Sequence, residues 1–370
     1  MVLPFLFSIV MNFIFFVSPL IAKEVEPKPE LPTREFYRYK MTSGEPLHIK
    51  GTTRFWIGGD VMFNWGVRES MLEEDKMTPF RSLSPILQDM DLVMLNLETP
   101  ILEKKPAVDK IKPYVFFAEP KNLSILKELG VQLVFLGNNH TMDFGPQGLE
   151  ETLEHTKVNK IASVGAGKNL REAFKPFVWK KNKSKFAIYS VSGVGESRLF
   201  AGQNRPGVAP LNSEFLKEEV AGKNRISILS FHWGVEYSPM PTPEQRQLAK
   251  ELFQSGAKVI VGHHPHVPQG IEVFPGGGVC IYSLGNLFFG SKNQYLKHNI
   301  SVVLHFQEKK LIAVEVIPLY GKQQSHNGPP YFEPLDGNEA EEFLKEYALL
   351  CERLGTQLHV QGGRGYVFLK

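Results

Sequence analysis

Cysteine is nearly absent: Cys280 and Cys351 are the only two in 370 residues. Two distant thiols define neither a disulfide framework nor a metal site. In an exported protein they could pair, but Cys280 sits in a strand-like run, where a buried free thiol fits equally well. A charge excess of one sign is also missing. Lys and Arg number 42 against 39 Asp and Glu, giving a net charge of +3. That spread offers no electrostatic reason to expect nucleic acid as a partner. There is no internal repeat and no phosphate-binding P-loop, and Gly193-Val194-Gly195-Glu196-Ser197 lacks a nucleophile elbow. The length allows one large domain or two modest ones.

Residues 1–22 lack charge altogether. Phe, Leu, Ile and Val dominate this stretch, and Lys23-Glu24 end it. The expectation is a secretory signal peptide or an uncleaved membrane anchor, and so an exported protein at the cell surface, in the periplasm or tethered to the membrane. Leu20-Ile21-Ala22 is a poor small-x-small site, which leaves cleavage open. Residues 23–50, rich at first in Pro, Glu and Lys without a period, read as a linker.

What the chain does have is one pattern repeated. Short apolar runs end in polar clusters: Phe55-Trp56-Ile57 before Gly58-Gly59-Asp60, Leu92–Leu95 before Asn96-Leu97-Glu98, and Leu133–Leu136 before Gly137-Asn138-Asn139-His140. Ile226–Phe231 runs into His232, Val259–Val261 into Gly262-His263-His264-Pro265-His266, and Val279–Tyr282 into Ser283-Leu284-Gly285-Asn286. Helix-like segments at Pro85–Met90, Lys121–Gly130, Gly145–Val158 and Thr242–Gly256 alternate with these runs. Strand–helix alternation predicts an α/β fold with largely parallel sheets, whose ligands bind beyond the strands' carboxyl ends. Beyond Gly290, Ile300–Phe306 and Leu311–Leu319 read as an antiparallel pair, Glu339–Arg353 as an amphipathic helix and Gly365–Lys370 as a last strand. Residues 292–370 are thus expected to be a cap packed on the domain spanning 51–291.

The strand-end residues name a chemistry. Pro265 forbids a helix, so His264 and His266 are expected in an extended segment, two apart and facing one point. Asp60, Glu98, Asn139, His232, His264 and His266 together offer carboxylates, imidazoles and an amide, a set suited to Mn, Fe or Zn. Six ligands exceed one tetrahedral site, so two divalent ions are expected. His140 could protonate a leaving group, with Asp143 fixing its tautomer. His263, Glu236 and Asn286 are expected to support the ligands, Glu236 through a metal-bound histidine or Arg246. His155, His298, His305, His326 and His359 show no clustering.

These motifs resemble the CapA family of poly-γ-glutamate capsule-synthesis proteins, within the calcineurin-like metallophosphatases. The matching stretches are Gly59-Asp60-Val61-Met62, Asn96-Leu97-Glu98, Asn138-Asn139-His140-x-x-Asp143-x-Gly145, His232-Trp233-Gly234-x-Glu236, Gly262-x-His264-Pro265-His266 and Ser283-Leu284-Gly285-Asn286. The resemblance implies a four-layer αββα sandwich with metal-activated water attacking a phosphoester or a γ-glutamyl amide. It also implies an anionic polymer or phosphoester as substrate and membrane proteins of a capsule-synthesis complex as partners. The alternative is a non-catalytic, membrane-associated scaffold that binds the polymer or the complex. Two departures stand out: Met62 occupies the place of the histidine in the superfamily's Asp-x-His motif, and Glu98 takes the place of the bridging carboxylate.

Overall fold

The strand-end pattern becomes two sheets. The computed structural model describes residues 51–70, 77–106, 114–290, 298–322 and 331–369. The expected leader at 1–22, the linker at 23–50 and His326 lie outside them. In the first sheet β1 (Thr53–Met62), β2 (Leu92–Leu97) and β3 (Leu133–Phe135) run parallel. In the second, β4 (Ile226–His232), β5 (Val259–His263) and β6 (Gly278–Leu284) do the same. After Gly285 the chain crosses between the sheets, and β7 (Asn286–Phe289) pairs with the end of β1, setting Asn286 opposite Asp60.

Alternation along the strands assigns the layers, because successive side chains point to opposite faces. Phe55, Ile57, Leu92 and Met94 pack with Ile228, Val259, Val261 and Ile281 in one core between the sheets. Their neighbours Trp56, Val93 and Leu95 face outward into a second core with Leu126 and Leu149. Leu229, Ile260 and Cys280 face the opposite way into a third, with Leu216, Ala249 and Leu252. Leu149 comes from α1 (Gly145–Val158), and Ala249 and Leu252 from α2 (Pro243–Ser255). Helices therefore cover the outer face of each sheet, which makes the four-layer αββα sandwich. At about 1.5–3 kcal/mol for each fully buried large apolar side chain, the doubly covered sheets are a main source of stability.

The C-terminal strands enter the sheet rather than cap it. His298–Gln307 lies antiparallel beside β1 and is followed outward by Lys310–Lys322. Among the described residues the first sheet, with these strands in place, has ten strands and the second six. The helix α3 (Gly337–Arg353) inserts Leu344, Tyr347 and Cys351 into the core between the sheets. The chain therefore needs residues beyond 291 to complete its central layer. Both cysteines are free and buried. Among the described residues no helix is long and apolar enough to cross a membrane.

Candidate metal centre

The carboxyl ends of β1, β2, β4 and β5 converge where β7 crosses between the sheets. The Asp60 carboxylate is wholly buried and is held from several sides. Asn96 Nδ2 donates to its Oδ1 at 2.8 Å and the His264 backbone N–H to its Oδ2 at 3.2 Å. His263 Nδ1 and His266 Nδ1 each lie 3.3 Å from it. Glu98, just past β2, is tied by its backbone N–H to the Val61 carbonyl at 2.8 Å. Its Oε1 stands 3.5 Å from His232 Nε2 and 3.9 Å from His140 Nε2.

The histidine turn differs from the extended segment expected. β5 ends at His263, and His264 and His266 have φ of +94° and +58°, a left-handed backbone that side chains seldom adopt. The turn brings the two rings together, with centroids 6.1 Å apart, by coiling the chain instead of by pleat alternation. Asn286 Oδ1 meets His266 Nδ1 at 2.9 Å and fixes that ring. Gly262 permits the close approach beneath, since a Cβ there would lie 1.8 Å from the Tyr282 carbonyl oxygen.

Two triads offer ligand atoms within 4.8 Å of one another: Asp60, Glu98 and His232, and Glu98, His264 and His266. Glu98 belongs to both. Neither Glu98 oxygen, nor His232 Nε2, nor His264 Nδ1 has a hydrogen-bond partner, although all are buried. Leaving such groups unsatisfied costs about 1–3 kcal/mol each, more for a charged one. A cation would satisfy all of them, so this donor set fits a divalent metal.

The remaining predicted residues occupy distinct places. Asn139 is half-buried beside His140 in the loop after β3. His140 Nδ1 is 2.9 Å from Asp143 Oδ2, which also accepts the Phe116 N–H at 2.8 Å. His263 is fully buried and touches Asp60. Glu236 is exposed, and the alternative pairing with Arg246 does not occur: Arg246 is engaged by Glu272 at 2.6 and 3.0 Å. Met62 joins Phe116 and Phe289 in a small apolar cluster, and its sulfur accepts the Asn64 N–H at 3.1 Å.

Asn96 and Asn138 form a hub that pattern reading passed over. Asn96 grips Asp60 and reaches His232 Nδ1 at 3.4 Å, while Asn138 Nδ2 donates to Asn96 Oδ1 at 3.1 Å and to the Leu97 carbonyl at 2.9 Å. Asn138 Oδ1 in turn accepts the N–H groups of His140 and Thr141. The available signal was spacing: Asn96 lies two residues before Glu98.

Without a cation the cluster balances its own charge. Burial pushes the Asp60 carboxyl up, but the imidazoles of His263 and His266 beside it outweigh burial and hold Asp60 well below the carboxylate range. Burial and the neighbouring Asp60 push Glu98 well above it. Burial lowers His266, yet Asp60, Glu98 and Asn286 prevail and raise it to about 9. Burial, reinforced by His266, lowers His264 to about 4, and burial with His264 lowers His232. His232 and His264 are therefore neutral near pH 7, the state in which imidazole binds metal.

Residues 54–291 match the family model described as bacterial capsule synthesis protein PGA_cap. The chain is 30% identical over 289 residues to a capsule biosynthesis protein CapA of Bacillus anthracis, covering 76% of this chain and 70% of that one. It is 31% identical over 265 residues to a PGA biosynthesis protein CapA of Bacillus subtilis, covering 70% of each. A phosphatase of Mycoplasma pneumoniae of known structure overlays on 74% of this chain and 95% of its own, with TM-score 0.48 and 21% identity, too distant a likeness to bear on chemistry. With the matched segment spanning every strand end that converges on Asp60 and Glu98, the chain belongs to the bacterial capsule synthesis protein family, PGA_cap.

Proposed function

We propose that this protein acts in poly-γ-glutamate capsule biosynthesis as an exported, metal-dependent hydrolase. The relatives named for capsule and PGA biosynthesis support the process. One observation supports the chemistry: the buried, unpartnered ligand atoms of Glu98, His232 and His264 on two triads that share Glu98. Asp60, Glu98 and His232 would hold one divalent ion, and Glu98, His264 and His266 a second, with Mn, Fe or Zn suited to the donors. Asn139 would complete a coordination sphere from the loop after β3. When bound, such ions polarise a phosphoryl or carbonyl oxygen and activate water.

The protein's own groups do the rest. Asn96 and the His264 N–H orient Asp60, and Asn286 orients His266. His140 faces the cluster through Nε2 and donates the proton to the leaving oxygen or nitrogen, while Asp143 on Nδ1 keeps the proton-bearing nitrogen turned to the site. The substrate would be a phosphoester or a γ-glutamyl amide of the anionic polymer. The apolar leader at 1–22 would export the chain or anchor it beside membrane partners. The test is turnover of poly-γ-glutamate and of model phosphoesters by metal-loaded protein. Loss of that turnover in His140→Ala supports the reading, and no turnover of either substrate contradicts it.

A specific observation favours a second reading, a non-catalytic scaffold. Met62 offers a thioether where the superfamily has an imidazole, and its sulfur is engaged by Asn64. One metal position would then be weak, and the fold would serve to bind polymer or a synthesis complex. Saturable polymer binding without turnover distinguishes it.

A further inference from the structure

A ladder of aromatic rings leads outward from His140 and His266. Phe116 stacks on His140 with centroids 4.0 Å apart, and Phe289 lies 4.6 Å from His266 and 5.8 Å from Phe116. Trp65 meets Phe116 at 5.3 Å, Tyr114 at 6.0 Å and Phe289 at 6.2 Å, each edge to face. The inner rungs are buried with Met62, but Trp65 is 38% exposed and Tyr114 61%. Trp65 and Tyr114, in contact with each other, thus expose an aromatic face beyond the buried rungs, and exposed apolar patches mark contact surfaces.

The backbone supports the same conclusion. Trp65 has φ of +48°, a left-handed backbone that strains a bulky L-residue. The strain is held in place locally: Asn64 Oδ1 accepts the Trp65 N–H at 2.9 Å, and the Asn64 N–H is itself held by Met62 sulfur. Met62 therefore anchors the turn that presents the indole to Phe116 and Phe289. The histidine it replaces would have bound metal; the methionine instead packs beneath an aromatic shelf.

We infer that this shelf, Trp65 with Tyr114 over Phe116, is the leaving-group subsite, and that it takes a leaving group with a flat, uncharged ring, which of the two substrate classes proposed above selects the phosphoester over the anionic γ-glutamyl chain. The inference rests on the reading of His140 as proton donor. A general acid must stand beside the leaving atom, and Phe116, one of the two rings that carry Trp65, stacks on His140 itself, so a group departing from that atom is set against these rings. Stacking on an exposed aromatic favours a planar face over a compact alkyl or anionic group.

The test is calorimetric binding of phenylphosphonate and methylphosphonate to Mn²⁺-loaded full-length protein. Neither is hydrolysed, and they differ only in the ring that replaces the leaving group. The shelf predicts that phenylphosphonate binds about tenfold tighter, a typical gain for one stacked ring. Trp65→Ala should bring the phenyl-to-methyl ratio towards one. Tyr114→Ala, at a far more exposed position, should lower it, and Trp65→Phe should retain most of it; circular dichroism checks the fold of each. Equal affinities in the wild type, or a ratio unmoved by both alanine variants, overturn the shelf and leave the metal site standing. If neither phosphonate binds, the phosphoester leaving-group subsite is overturned, while turnover of poly-γ-glutamate, measured separately, decides the hydrolase reading.

Discussion

At the scale of single residues, the site is decided by which buried atoms have partners. His140 belongs to neither ligand triad and its Nδ1 pairs with Asp143, so its proposed role separates from metal binding. His140→Ala should lower turnover of an aryl phosphoester by about 10²–10⁴-fold while metal content stays unchanged. Loss of metal in that variant would instead make His140 a ligand. Away from the site, Glu219 gives a pH prediction. Burial raises its carboxyl, but hydrogen bonds from Lys223, Tyr189 and Arg225 outweigh this and lower it below the ordinary value. A depressed folded-state pKa contributes stability above the unfolded value that is lost as pH falls through the folded one. Glu219→Gln should therefore cost roughly 1 kcal/mol at neutral pH, discounted for partial exposure, and the gap to wild type should close in acid. Urea midpoints at pH 7 and pH 3 measure it. Chemistry was legible at this scale wherever a ligand-type residue ended an apolar run, as at Asp60, Glu98 and His232. Asn96 and Asn138 were not, because an amide acting through two hydrogen-bonded neighbours looks like any loop asparagine.

At the scale of elements, the sequence marks some ends well. Thr242 caps α2 by accepting the Gln245 N–H at 3.3 Å, and Gln245 Oε1 accepts the Thr242 N–H at 2.9 Å, as Thr-Pro-Glu-Gln suggests. Thr242→Ala should lower stability by about 1 kcal/mol, read from the thermal midpoint. The histidine turn was legible in its outcome but not in its geometry. Pro265 rules out a helix, yet nothing local says that His264 and His266 turn left-handed; that depends on Asp60 receiving the His264 N–H from another sheet. The strand Ser184–Ser192 pairs with β4 one strand in from the edge of the second sheet but ends in no ligand, so the strand-end pattern does not announce it. The role of α3 also depends on tertiary structure. Leu344 on its inner face is fully buried among residues of the inter-sheet core, and Leu344→Ala should cost about 2–5 kcal/mol in urea unfolding. A cost below 1 kcal/mol would return α3 to the surface role that its amphipathic pattern suggests.

At the scale of the whole molecule, the two sheets bring distant segments to one point. Asp60 and His264 are 204 residues apart, and their contact exists only because β7 crosses from the second sheet to the end of β1. The α/β class was legible from alternation, and the four layers followed from family resemblance. The place of residues 298–322 was not legible, because a strand pair at the end of a chain reads the same whether it flanks a sheet or enters it. Its pairing with β1 places the C-terminal region within the fold that holds Asp60, so the site depends on the complete domain. The central claim is that this architecture holds divalent metal through a shared Glu98. Elemental analysis of the purified full-length protein tests it most directly, alongside Glu98→Ala and His264→Ala. About two equivalents of Mn, Fe or Zn are expected in the wild type, both lost or weakened in Glu98→Ala and one in His264→Ala. Metal-free wild-type protein that takes up none of these ions when they are added would contradict it.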